Sequence, residues 1–495
     1  MKPLIESFAA DPDLGSVLAG LRGGMREQLV AGLSGSARQV MIAALHRELK
    51  RPVLVITHNM FSAQKIAEDL QQCLSSEEVL LYPANELIAA EISVSSPETS
   101  AQRLDVLLQL ADGFRGVVVV PFAGVRRFQP DRESLAQARI ELRVGETMPM
   151  EAFVQGLAWL GYERVDRVEQ KGHFSVRGGI VDFYPLTSSS GVRVEWFDDE
   201  IDSIRRFDPA DQRSTDQCES YVVRPCRELI ADERRFRNAA EHAADLLERQ
   251  LEKMTDRQAK ERLRGEIARE IELMRERIYF SGLYKYVSLL YPERQTLLDY
   301  VAQDAILVMD EPNRLQETAK QLERDEAEWT AHMLMQGQSL PGFAMAQNID
   351  QSLYAKGRQI VYLSLFVRQI PHTQPQSIVN FVCRAMQNFH GQMNVLKAEM
   401  ERWRRSGARI LMMAGNAERA ERMRRVLDDY RIEPPEILEG NLQSGFEMPS
   451  IRLVVITEGE MFSQKQRKAN RVNRHLDNAE RIKSYTELKV GDYVV

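Results

Sequence analysis

The chain has 495 residues, 44% hydrophobic and 28% charged, with 65 Lys and Arg against 72 Asp and Glu for a formal net charge of −7. That is apolar material for roughly three domains of about 150 residues each, and the acidic balance excludes a surface that contacts nucleic acid throughout. The four cysteines (Cys73, Cys218, Cys226, Cys383) form no C-x-x-C pair and have no histidine at ligand spacing, which argues against structural zinc and a disulfide framework and suits a reducing cytosol. Met1 to Leu14 carries three acids and no apolar core, so no signal peptide is expected. No run of ~18 apolar residues occurs, so the expectation is a cytoplasmic protein without a membrane partner.

The first informative stretch is Gly32-Leu-Ser-Gly35-Ser-Ala37-Arg38-Gln39. It has the length and framing of the phosphate-binding loop G-x-x-x-x-G-K-[ST], with three wrong residues at its end. Ala37 stands where a glycine lets backbone approach phosphate. Arg38 stands where lysine reaches the β/γ-phosphates, and its planar fork is not a compact point charge. Gln39 stands where a hydroxyl ligates Mg²⁺. A Gly/Ser turn leading into a helix is the competing reading of these residues.

Downstream, the spacing predicts a helix over about 37–49. Pro52-Val-Leu-Val-Ile-Thr57, Val79-Leu-Leu-Tyr82 and Val117-Val-Val-Val120 then read as strands, the first a continuous apolar run of the kind buried on both faces of a parallel sheet. Asn59 is positioned to cap a helix with Phe61, Ile66 and Leu70 on one stripe. Strand and helix alternating at this interval predict an α/β layer with right-handed crossovers. From about Met148 the texture changes. Phe174–Pro185 and Val192–Trp196 alternate apolar and polar at period two, as half-exposed strands do, so 148–225 reads as a small β-rich insert.

After Cys226, Leu263, Ile267, Ile271, Met274 and Ile278 recur at helical steps, with Leu247, Leu251 and Met254 on a partner before them. Because acids alternate with arginines, this reads as a solvated helical hairpin docked on the core. Ala305-Ile-Leu-Val-Met-Asp310-Glu311 is an apolar strand ending in two acids, the shape of a Walker B element, although strand-end acid pairs are also common. With the insert removed, the two α/β stretches fit one sheet, which sets Asp310 and Glu311 beside Gly32–Gln39. Met393–Arg405 (helix), Ala408–Met413 (strand), Asn416 (cap) and Leu453–Thr457 (strand) form a second, small α/β unit. Gln464–Lys483 is polar and basic, a linker or a nucleic-acid or protein contact. Leu488–Val495 reads as the opening of a strand, so a longer protein is expected.

Several stretches carry a family resemblance: Gly23–Ala37, Leu81–Leu87, Gln102–Val106, Gly161–Arg164, Val176–Ile180, Phe197–Ser203, Phe389–Gln392 and Gly491–Val495. On them the chain closely resembles the N-terminal part of the bacterial transcription-repair coupling factors, from end to end. The resemblance implies an α/β, P-loop-like (UvrB-like) parallel-sheet domain interrupted by a β-rich insert and followed by a small α/β domain and a linker. Its boundaries are expected at 1–147, 148–225, 226–375, 376–460 and 461–486, with 487–495 opening a domain that grips RNA polymerase. It implies that the insert contacts UvrA and is partly masked in the intact protein. It also implies that ATP, Mg²⁺ and double-stranded DNA are handled by a translocase motor outside this stretch.

From the residues themselves, loss of the lysine and of the magnesium-binding hydroxyl removes both charge clamps of phosphoryl transfer, so no catalysis and no cofactor are expected here. The expected remnant nucleotide site is Gly32, Gly35, Ala37, Arg38, Gln39, Asp310 and Glu311. The expected UvrA contacts are Arg177 at a Gly-Gly turn, with Arg164 and Phe183, because arginine forks and an aromatic anchor are common hot-spot chemistry. Bottom-up, Arg177 also reads as a strand-edge solubility charge. Two further functions compete: a UvrB-like, ATP-dependent DNA-damage processing enzyme, and a DNA-binding scaffold built on Gln464–Lys483.

Overall fold

A computed structural model describes residues 1–85, 97–348 and 357–462. Its centre is a seven-stranded, all-parallel sheet. The order is β15 (Ser377–Asn380), β1 (Glu27–Ala31), β14 (Gln359–Ser364), β13 (Ile306–Asp310), β2 (Val53–Thr57), β4 (Val117–Pro121) and β3 (Val79–Leu81). Strands β2, β4 and β13 are buried at every residue, as their unbroken apolar runs require when helices cover both faces. β13 pairs directly with β2, Ile306 opposite Val53, so chain on either side of the insert joins in one sheet.

Helices α1 (Lys2–Ala9), α2 (Pro12–Arg22), α3 (Ala37–Leu49), α4 (Met60–Cys73) and α5 (Pro97–Ala111) lie in this front part. The Asn59 side chain accepts from the Ser62 N–H at 2.8 Å and starts α4, the cap expected of it. Phe61, however, leaves the expected apolar stripe: it is 65% exposed.

Strands β5 (Ile140–Arg143) and β12 (Ser220–Val223) pair antiparallel and frame the insert. Between them sit helix α6 (Met150–Leu160) and a six-stranded sheet in the order β11 (Ser214–Cys218), β10 (Glu200–Phe207), β9 (Gly191–Phe197), β8 (Ile180–Phe183), β7 (His173–Arg177), β6 (Glu163–Arg164). Where the chain leaves, the Glu228 carboxylate accepts from Arg103 Nε of α5 at 2.8 Å and from Arg127 at 3.0 Å, a buried three-charge clasp tying the insert's exit to the front layer.

Helices α7 (Glu233–Lys253) and α8 (Arg257–Arg275) form the hairpin. Leu263, Ile267, Ile271 and Met274 are buried as their spacing predicts. Ile278 lies beyond the helix end and is 44% exposed. Helix α9 (Pro312–Met335) follows β13.

The last sheet is mixed, in the order β16 (Arg384–Ala385), β19 (Phe446–Met448), β20 (Leu453–Thr457), β17 (Arg409–Ala414), β18 (Glu436–Glu439), flanked by α10 (Met393–Arg405) and α11 (Ala417–Asp429). The Asn416 side chain caps α11 through the Arg419 N–H at 2.9 Å. This sheet shares a core with the front layer: Leu411, Met413, Phe446 and Val455 pack in one cluster with Leu4, Phe8, Val17 and Val40. The readings of Gln464–Lys483 and Leu488–Val495 lie outside the described residues. Among the described residues no helix is long and apolar enough to cross a membrane.

Candidate functional site

The loop Gly32–Ser36 connects β1 to α3 at the C-terminal edge of the parallel sheet, where ligands of open α/β sheets sit. Gly32 (φ 84°) needs its glycine: a Cβ there would lie 2.1 Å from the Phe381 carbonyl oxygen. Ala37 is buried at the first turn of α3.

Arg38 turns into the protein rather than into the cradle. Its Nε donates to the Leu33 carbonyl at 3.1 Å, and its two terminal nitrogens donate to Asp310 Oδ1 at 2.8 Å and Glu311 Oε1 at 2.5 Å. The side chain is 15% exposed. Burial works against its charge, but the carboxylates of Asp310 and Glu311 outweigh that and raise its affinity for the proton. Burial likewise opposes ionisation of Asp310, and Arg38 opposes that effect. With the guanidinium at hydrogen-bond distance from both acids, the three groups form an ion triad.

Glu311 is further tied down. Its backbone is left-handed (φ 50°), and its carboxylate also accepts from the Leu365 N–H at 3.0 Å. It is thereby committed to Arg38 and to the Leu365 N–H. The Gln39 Oε1 is buried without a hydrogen-bond partner. The structure thus brings Gly32, Gly35, Ala37, Arg38, Gln39, Asp310 and Glu311 to one place. The cation at the lysine position is spent on the two acids.

In the insert, Arg177 ends β7 just before Gly178 (φ 60°) and donates to Asp182 Oδ2 at 2.6 Å. Asp182 is 1% exposed and is held from its other side by Arg193, through Nε at 2.7 Å and a terminal nitrogen at 2.9 Å. Those hydrogen bonds raise the Arg193 pKa further. Arg177 itself remains half exposed. Arg164, on edge strand β6, lines with Arg177, Val165, Asp166 and Val176 an open surface cleft of about 670 Å³.

Phe183 requires a correction as a surface anchor. It is fully buried, with Phe153, Tyr162 and Tyr221 rings 5.7–5.8 Å away edge-on, so it belongs to the core of the insert. Period two places Phe183 on the same face as Val181, and that face turns inward. Sequence reading missed Asp182, which fixes Arg177, and Phe197, which is 79% exposed at the start of the β9–β10 turn. The residue before Phe197, Trp196, donates its backbone N–H to Gly179, so Phe197 stands beside the Arg177 turn.

The insert defines the class first: residues 140–229 match the family model of the UvrB interaction domain, starting on β5. The relatives then define the family. The chain is 42% identical over 99% of its length to the transcription-repair-coupling factor of Bacillus subtilis. It is 33% identical over 90% of its length to that of Staphylococcus aureus, and 32% over 90% to that of Staphylococcus haemolyticus. The chain belongs to the transcription-repair-coupling factor family. It spans 43% of the Bacillus relative and 39% of the staphylococcal ones.

Proposed function

We propose that this stretch is the non-catalytic, UvrA-recruiting and regulatory module of a transcription-repair coupling factor. The whole protein would release RNA polymerase stalled at DNA lesions in an ATP-dependent way and bring in nucleotide excision repair. Polymerase would be held through the domain opening near Leu488, and double-stranded DNA and ATP by a motor beyond this stretch. The observation that carries the reading is the UvrB interaction domain with Arg164 and Arg177 on one open cleft. Arg177 keeps its fork half exposed while Asp182 limits its freedom, so a partner carboxylate or carbonyl meets a largely preorganised donor.

Capture of UvrA by the purified chain tests this. Arg177→Ala is expected to weaken binding by about 2 kcal/mol, roughly thirtyfold, and Arg177→Glu by more. Arg193 keeps Asp182 paired in both variants. Unchanged capture by both would remove Arg177 from the interface.

The non-catalytic half of the proposal rests on the Arg38 triad. No magnesium-dependent ATP turnover above background is expected from the purified chain. Turnover that disappears on changing Arg38 would instead support a UvrB-like processing enzyme, and a nucleotide titration with and without Mg²⁺ separates the two readings at the binding step.

A further inference from the structure

The loop after β18 crosses the mouth of the phosphate cradle. Ser36 Oγ donates to Asp69 Oδ2 at 2.6 Å and accepts from the Ser444 N–H at 3.0 Å, while the Ser36 N–H donates to the Ser444 carbonyl at 3.3 Å. The Gln443 N–H donates to Asp69 Oδ1 at 2.8 Å, and the Asn441 N–H to Gln72 Oε1 at 3.1 Å. Gly35 has no side chain to keep this loop away: a Cβ there would lie 2.7 Å from the Gly445 carbonyl oxygen.

We propose that Asn441–Gly445 is the built-in occupant of the cradle, standing where a nucleotide phosphate would and latching the small α/β layer to the front sheet through Ser36 and Asp69.

The chemistry of the exchange is consistent. The N-terminal turn of α3 favours negative charge and oxygen acceptors. Here the acceptor is the Ser444 carbonyl, with the Asp69 carboxyl behind it through the Ser36 hydroxyl. The loop is braced from behind. The Gly445 N–H donates to Glu460 Oε1 at 2.5 Å, and a Cβ on Gly445 would lie 2.2 Å from the Val455 carbonyl oxygen, so only glycine lets the loop lie this close to β20. Glu460 is itself buried and also accepts from the Thr457 N–H at 2.9 Å. The layers already share an apolar core, so the latch closes the cradle within one body rather than joining two separate ones.

The latch has a pH dependence of defined sign. Asp69 is 1% exposed, and burial pushes its pKa up to about 6 against the pull of its hydrogen bonds from Ser36 and Gln443. Glu68 raises it and Lys65 lowers it, both from its own helix. The nearby Cys73 thiol is pushed up to about 12 by burial and carries no charge in this range. With the loop swung out Asp69 would regain water, and on that ground it holds its proton more tightly in the latched state. The latch is tightest below the ordinary carboxylate range and loosens as pH rises through about 6.

Amide hydrogen exchange on the whole chain, expressed relative to intrinsic rates, tests this independently of UvrA capture. Gln443 and Ser444 are expected to be protected, and their protection is expected to fall at least about tenfold from pH 5 to 7.5. Asp69→Asn is expected to flatten that profile. Gly35→Ala and Ser36→Ala are expected to speed exchange at Asn441–Gly445 while Leu411–Met413 in β17 stay protected. Millimolar inorganic pyrophosphate is expected to leave the wild-type pattern unchanged. Free-loop exchange at Gln443 and Ser444 in the wild type would overturn the proposal, as would pyrophosphate protecting Ser36 while releasing Ser444. If either glycine or serine variant loses β17 protection as well, the isosteric Asp69→Asn profile decides: a slope equal to that of the wild type counts against the latch.

Discussion

Arg38→Ala is expected to destabilise the seven-stranded sheet by about 3–5 kcal/mol, the loss seen when one partner of a buried ion pair is removed. The mechanism is specific. The variant leaves Asp310 and Glu311 adjacent and mostly buried, with the guanidinium that pairs with both of them gone. Burial already raises the Asp310 pKa with Arg38 in place, and without Arg38 to oppose that effect its folded pKa rises further above its unfolded one. Stability of the variant is fully present below the unfolded carboxylate pKa and is lost as pH rises through the raised folded pKa. The deficit against wild type should therefore be largest at neutral pH and shrink on acidification. Hydrogen exchange of the β13 amides in a urea series measures it. Arg38→Lys should recover part of the loss, because one ammonium cannot span both acids as the fork does. Asp310→Asn with Glu311→Gln in the Arg38→Met background should recover more, since it removes the unpaired charges together. A pH-independent deficit would sink the ion-triad account. If Arg38 were instead a phosphate ligand awaiting nucleotide, Arg38→Ala would leave stability unchanged in the absence of ATP.

Part of this architecture was legible in the sequence because local physics decides it. β2, β4 and β13 are unbroken apolar runs up to their last residue, as strands buried on both faces have to be. Asn59 and Asn416 are caps by chemistry alone, and both side chains accept the expected N–H. β1 and β14 were not legible, because each opens on polar residues that look like loop. Their side-chain amide N–H groups are satisfied at long range, while Gln28 Oε1 stays buried without a partner. The Gln28 amide donates to the Val17 carbonyl, and the Gln359 amide donates to the carbonyls of Leu21 and Met25, near the C-terminal end of α2. Those donor bonds offset part of the cost of burying the amides, and nothing in the strand itself announces them. The candidate site divides the same way. Gly32, Gly35, Arg38, Asp310 and Glu311 are recognisable pieces, and strand order brings them together. The cradle's occupant is not recognisable, because Ser444 lies 408 residues from Ser36.

Phe183→Ala is expected to cost the insert about 3–5 kcal/mol, the range for truncating a buried aromatic, and to abolish UvrA capture by unfolding rather than by loss of a contact. Phe183 is the meeting point of three elements: Phe153 comes from α6, Tyr221 from β12, and Tyr162 from the segment leading into β6. Removing the ring leaves a cavity between rigid aromatic plates that have little freedom to collapse, which places the loss toward the upper end of the range. Near-ultraviolet circular dichroism with urea denaturation measures the stability, because Trp196 lies 5.2 Å from Phe153 in the same cluster. The discriminating variant is Phe183→Leu, which keeps an apolar side chain in the cavity and leaves the surface untouched. It should fold with a smaller deficit and capture UvrA as the wild type does, while Arg177→Glu, with its core intact, should not. The reverse pattern, a folded Phe183→Leu that fails to bind beside an Arg177→Glu that binds, would mean that the insert opens its core to its partner, and the cleft lined by Arg164 and Arg177 would then lose its place as the docking surface.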